Sequence, residues 1–196
     1  MRIALIILLT LGVIFAAGQI WSSASNKDIE MHKYQVLRSF DDFEIREYEQ
    51  ANFAYVTMSP QTYDQSSGTG FRMLAGYIFG GNDESQQIAM TSPVAMTMTD
   101  SVTMQFMVPS SYEIKDLPTP DDTRVKFKTE PGKIMAAIQF GGWANDKKIK
   151  KHTQELKKHL EESGVEHLNN FSYLGYNPPY EVVNRRNEVV VEVEWK

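Results

Sequence analysis

The chain passes twice through the same order of hydrophobic patterns, and this doubling limits its fold more than any other feature. In the first pass residues 52–59 read as a strand, and Phe71, Leu74, Ala75 and Ile78 fall at helical spacing over 71–80. Gly80-Gly81-Asn82 stop that helix, and 87–91 and 94–99 read as strands on either side of Ser92-Pro93. In the second pass 133–140 read as a strand and 146–163 as a helix opened by Asn145 or Asp146 and stopped by Gly164. The strands 171–176 and 188–195 follow, separated by a turn at Asn177-Pro178-Pro179. The two passes share little residue identity, so the repeat is one of order. It predicts an α+β fold in which two strand–helix–strand–strand units meet around one core.

Further strands surround these units. Residues 34–40 and 43–48 form an opening hairpin around Asp41-Asp42, with Phe43, Ile45 and Glu47 on one face and Glu44, Arg46 and Tyr48 on the other. Residues 102–108 and 125–129 read as strands, and the polar 110–123, with Pro118 and Pro120, as a surface connection.

The amino end reads as an address. Residues 3–20 are almost wholly apolar, Arg2 precedes them, and no acidic residue appears before Asp28. The run approaches the roughly 20 residues that cross a bilayer, yet Ala16-Ala17-Gly18 and Ser23-Ala24-Ser25 offer small-residue cleavage sites. A cleaved signal peptide and a single retained membrane anchor both stay open for 1–21. Either places the domain outside the cytoplasm, held at a membrane or released as a periplasmic or secreted protein. Residues 22–31 read as a polar tether and 32–196 as the folded domain.

Composition removes several classes of function. The 196 residues include no cysteine, which excludes disulfides, thiolate catalysis and cysteine-held metals. A net charge of −5 makes the domain a poor candidate for broad nucleic-acid binding, and none is expected. No phosphate-cradling glycine loop, GxSxG elbow or HExxH motif occurs. His152 and His159 share a helix face two turns apart, roughly 10 Å along the axis, too far to hold one metal ion. The expectation is a binding domain, not an enzyme, and one without a protein-held metal.

Three features suit a ligand. Met90, Met96, Met98, Met104 and Met107 crowd three successive strands; soft thioethers either line a pocket for a large flat apolar molecule or fill gaps in the core. Met73 and Tyr77 lie together at i, i+4 on a flank of the first helix, outside its core stripe, with Arg72 beside them to meet a carboxylate. The second helix carries Lys147, Lys148, Lys150, Lys151, Lys157 and Lys158, a run that either meets anionic lipid or ligand carboxylates or forms a solvated face.

The combination of Phe71-Arg72, Tyr77-Ile78-Phe79-Gly80-Gly81-Asn82 and Ile88-Ala89-Met90-Thr91-Ser92-Pro93-Val94 resembles the signature of the SOUL haem-binding family. Residues 34–48 resemble the family's opening hairpin, and 173–179 with 189–193 its closing strands, so the likeness extends over about 34–196. The resemblance implies a distorted β barrel flanked by two helices and built from a pseudo-twofold repeat. It implies that haem or another porphyrin binds in an apolar groove without a catalytic cycle, at Arg72, Met73, Tyr77, Met90 and Met98. One position departs from the pattern: some members have a histidine, proposed as axial ligand, before the tyrosine of the second hairpin strand, and here Glu47 precedes Tyr48. A carboxylate is a weak haem ligand beside imidazole or thioether, so binding would rest on burial of the macrocycle. A second expectation keeps the groove and changes its occupant to a protein or another apolar small molecule.

Overall fold

The structure, a computed structural model, describes residues 29–178 and 181–195. The apolar segment 1–21 and most of the expected tether lie outside the described residues. No described helix is long and apolar enough to cross a membrane.

The described chain is α+β, with two helices and a strongly curled antiparallel sheet, as expected. Its strands are β1 (Glu30–Met31), β2 (Tyr34–Ser39), β3 (Glu44–Tyr48), β4 (Ala51–Met58), β5 (Thr91–Ser92), β6 (Val94–Met98), β7 (Val102–Met107), β8 (Lys126–Glu130), β9 (Lys133–Gly141), β10 (Ser172–Gly175) and β11 (Arg186–Glu192). The helices are α1 (Tyr63–Ile78) and α2 (Asp146–Glu162). Nine strands form one sheet in the order β2-β3-β9-β11-β10-β6-β7-β4-β8, and β1 pairs in parallel with β5.

This order contains the repeat. β4, α1, β6 and β7 form one strand–helix–strand–strand unit, and β9, α2, β10 and β11 form the other, with β8 and β3 added at corresponding edges. The units join where β6 and β10 pair, Met96 opposite Tyr173 and Ala95 opposite Leu174. A pseudo-twofold axis therefore passes between these two strands.

The first unit differs from the expected strand assignment. Residues 87–91 are the expected third element, but apart from a bridge between Gln87 and Phe79 and the start of the two-residue β5 at Thr91 this stretch is irregular, and β6–β7 take the two strand places. The reason is local: Asn82 folds the segment back by accepting from Gln86 N at 2.9 Å and donating to Tyr77 O at 3.1 Å, and Ile88 N bonds the end of α1. The tether expectation also shifts, because Glu30 and Met31 form β1 and the Glu30 carboxylate accepts from Ser110 N.

The first helix starts eight residues before the expected Phe71, despite Gly68 and Gly70. Each interior glycine costs about 1 kcal/mol of helix propensity, but Gly70 brings the helix close to the sheet. A β-carbon there would lie 2.8 Å from Met58 Cε and 3.2 Å from Met104 Cβ. The amino ends of the helices also satisfy one another: Tyr63 N donates to Asp146 Oδ1 at 2.8 Å and Asp146 N to Asp64 Oδ2 at 3.4 Å.

Both helices cover one face of the sheet, α1 against β4 and β7, α2 against β9 and β11. Leu74, Ile78, Ile149, Leu156 and Leu160 bury there with Ile45, Val56, Met96, Met104, Ile138 and Val191 in one continuous core. The opposite face carries a smaller cluster of Ala137, Leu174 and Val190.

Candidate functional site

Two concavities offer sites, one on each side of the sheet. The first lies on the exposed flank of α1. Thr69, Arg72, Met73, Gly76, Tyr77 and Gly81 form one wall, Asp121, Asp122 and Arg124 the other, around an open space of about 400 Å³. Helical spacing puts residues 69, 72, 73 and 76 on this flank. Nothing lies within 4 Å of a β-carbon built on Gly76, so the helix backbone is bare at the centre of the wall. Arg124 is already committed, donating to Asp122 through Nε at 2.9 Å and Nη2 at 2.7 Å, and this bond holds the Asp122 carboxyl below its usual range. Arg72 reaches only Thr69 Oγ1, at 3.4 Å, and among the described residues has no carboxylate partner. Its guanidinium is the cation this flank offers to an acidic ligand.

The five residues expected from sequence do not converge. Arg72, Met73 and Tyr77 border the α1 concavity, but the Tyr77 ring turns inward, tilted against Phe127, and its hydroxyl donates to Pro118 O at 3.1 Å. Burial pushes the Tyr77 phenol up to about 12. The flank that sequence periodicity left uncovered is thus partly covered by β8 and the connection before it. Met90 lies against the core beyond Tyr77 and Ile78, beside a small crevice, and Met98 faces α2 near Ile149 and Phe171. Met96 and Met104 are core residues, so the methionine cluster mainly fills the core between sheet and helices.

The second concavity is the inner surface of the curled sheet, about 300 Å³, with an apolar floor of Ala95, Met135, Leu174 and Val190. Ala95 and Leu174 flank the pseudo-twofold axis directly. Tyr48, Phe53 and His32 form an aromatic side, where the His32 and Tyr48 ring centroids lie 5.0 Å apart. Lys128, Glu130, Lys133 and Glu192 form the rim. Burial works against the Glu130 charge, but Lys128 at 2.5 Å and Lys133 at 3.2 Å outweigh it and hold the carboxyl below its usual value.

Beside this groove the same sheet face holds a buried ionic cluster. Glu188 is 0% exposed and Arg46 only 4%, and Arg46 Nη1 donates to Glu188 Oε2 at 2.8 Å. Arg186 donates to Glu188 Oε1 at 2.7 Å, and the Tyr176 hydroxyl to Oε2 at 2.8 Å. Arg46 stacks over Tyr34 and Arg186 over Tyr176. Burial disfavours the Arg46 charge, yet the bonds and charge of Glu188 raise its pKa above the ordinary arginine value. Sequence reading placed Arg46 on the correct strand face but gave no sign of the cluster.

Glu47, in the place of the family's proposed axial histidine, is exposed on β3 between Gln35 and Ile134. Among the described residues no group of three or more histidine and carboxylate side chains is arranged to hold a metal ion.

The comparisons agree with this architecture. Heme-binding protein 1 of Xenopus laevis is 31% identical over 155 residues, covering 75% of this chain and 81% of that protein. Heme-binding protein 2 of Homo sapiens is 28% identical over 156 residues, covering 75% and 76%. Among solved structures, the EcmrR C-terminal domain matches 83% of this chain and 99% of its own with a TM-score of 0.60 at 11% identity. A hydrolase from Listeria innocua matches 81% and 94% with a TM-score of 0.52, also at 11% identity. At such identities these two share the fold alone. The family model described as SOUL heme-binding protein matches residues 29–192, and with the fold above it shows that this chain belongs to the SOUL haem-binding protein family.

Proposed function

We propose that this domain binds haem or a related tetrapyrrole against the exposed flank of α1, and that it sequesters or carries the ligand without transforming it. The observation that carries this reading is the bare backbone at Gly76, next to the Met73 thioether and the uncommitted Arg72, in a chain of this family. A flat macrocycle lies against such a surface without displacing a side chain. Met73 adds polarizable contact, and Arg72 meets a propionate through a charge-assisted hydrogen bond. Haem, when bound, supplies iron chemistry; the chain supplies burial and one cation. With Glu47 exposed on the far strand, affinity comes from macrocycle contact.

Haemin titration of the full chain, followed at the Soret band, tests the reading. Gly76→Leu fills the bare surface and is expected to weaken haemin at least about tenfold while thermal stability holds, since leucine is the better helix former. Arg72→Glu is expected to weaken it as well. An unchanged Soret band on adding wild-type protein would remove the haem reading.

A second reading has one observation in its favour. His32 is a histidine that lines a groove with an apolar floor, the inner surface of the sheet. If that groove holds the ligand, His32→Ala lowers haemin affinity and Gly76→Leu does not.

A further inference from the structure

The α2 corner of the molecule carries a charge order that helix stability does not explain. A helix favours acidic groups at its amino end and basic groups at its carboxyl end. Here Lys147, Lys148, Lys150 and Lys151 crowd the first two turns, while the last two mix Lys157, Lys158 and His159 with Glu161 and Glu162. The one acid of the first turn, Asp146, is half-buried and accepts from the Tyr63 backbone N–H at 2.8 Å. Lys148 turns back to Gly141 O at 3.1 Å, whereas Lys147, Lys150 and Lys151 are exposed. With Ile149, Leu156 and Leu160 turned to the core, Lys147, Lys151 and Lys158 lie along the outermost line of the helix. Glu155 and Glu162 reach Lys151 and Lys158 at 3.5 and 3.6 Å, across exposed pairs that hold little energy.

Exposed apolar side chains stand at the foot of this helix. Trp143, two residues before the cap Asn145, is 50% exposed, and Val183 in the β10–β11 connection is 55% exposed. The two loops adjoin, since Arg186 pairs with Gly141 and the Arg185 guanidinium lies over the Trp143 ring at 4.2 Å. Arg185 is itself fixed by Pro178 O at 2.8 Å, so a held guanidinium covers one face of the half-exposed Trp143 ring.

An exposed tryptophan at the foot of a lysine-rich helix, with an exposed valine in the adjoining loop, has the composition that sits at a membrane–water interface. We propose that this corner docks on an anionic lipid bilayer, with Lys147, Lys150 and Lys151 against the headgroups and Trp143 and Val183 inserted among them. The surface is separate from the α1 flank and stands whether or not that flank binds haem.

The absence of cysteine from the sequence makes the test direct. A single Val183→Cys substitution in the full chain takes an environment-sensitive fluorophore, and Lys115→Cys, in an exposed turn remote from α2 in sequence, takes the control label. The 183 label is expected to shift to shorter wavelength with vesicles containing phosphatidylserine and not with phosphatidylcholine alone, while the 115 label stays unchanged. Because only the corner is labelled, binding through another part of the chain does not mimic the signal. Each lysine near an anionic surface contributes about fivefold in affinity. Changing Lys147, Lys150 and Lys151 to Gln should therefore raise the vesicle concentration at half-shift by about a hundredfold, and moderate salt should act in the same direction. No shift at 183 with anionic vesicles, an equal shift with neutral ones, or an unchanged midpoint in the triple variant would each overturn the proposal.

Discussion

At the scale of residues, the buried cluster around Glu188 is the least replaceable part of the structure. Its carboxylate takes bonds from Arg46, Arg186 and Tyr176, and truncating it leaves the buried Arg46 with only the part-exposed Glu44 as a carboxylate partner. Removing one partner of such a pair typically costs about 3–5 kcal/mol. Glu188→Ala is expected to lower the unfolding free energy measured by urea titration by that amount, and Glu188→Gln by clearly less. The buried tyrosines predict behaviour in base. Burial raises the Tyr48, Tyr173 and Tyr176 phenols above 10 and takes Tyr77 to about 12. A raised group stabilises the fold fully below its unfolded value and loses that contribution as pH rises through its folded value. Stability should therefore hold to about pH 10 and then fall, with tyrosinate absorbance and loss of near-UV dichroism appearing together. Alternation in the sequence put Glu44, Arg46 and Tyr48 on one strand face correctly. That alternation accounts for the Arg46–Glu44 pair at 2.8 Å, but the buried partner Glu188 lies 142 residues away, and a local pattern carries no information about contacts across strands.

At the scale of elements, α1 contrasts two interior glycines. Gly76 meets nothing, and alanine there should stabilise the protein by about 0.5–1 kcal/mol through helix propensity. Gly70 faces Met58 and Met104, and valine there should destabilise by about 1–3 kcal/mol because α1 must lift from the sheet. Thermal or denaturant unfolding of both variants checks the opposite signs. Gly68 and Gly70 explain why the start of α1 is hidden in the sequence: Ser66-Ser67-Gly68-Thr69-Gly70 has the composition of a loop, and helix packing and the Asp146 bond override it. The second helix was legible to within a residue because its cap Asn145, its three buried positions and its stop at Gly164 all agree. The methionines were legible as a cluster but not as a site. Period-two alternation shows that Met96 and Met98 share a face, and only the packing of α1 and α2 identifies it as the core face.

At the scale of the molecule, the doubled order in the sequence becomes two units joined at β6 and β10, and this part of the fold is legible in the sequence. The first unit was read one strand out of place, since a short polar turn at Asn82 and a real strand are hard to separate by pattern. The groove on the pseudo-twofold axis could not be foreseen, because its floor comes from small and mixed side chains whose meaning depends on how far the sheet curls. The central claim, a tetrapyrrole on the α1 flank, is tested most directly by mapping haemin on the isotopically labelled full chain by paramagnetic broadening of backbone amides. The account predicts that signals from 69–76 and Gly81 broaden first and that Ala95, Leu174 and Val190 do not. Broadening confined to β6, β10 and β11, or none at all, would contradict it.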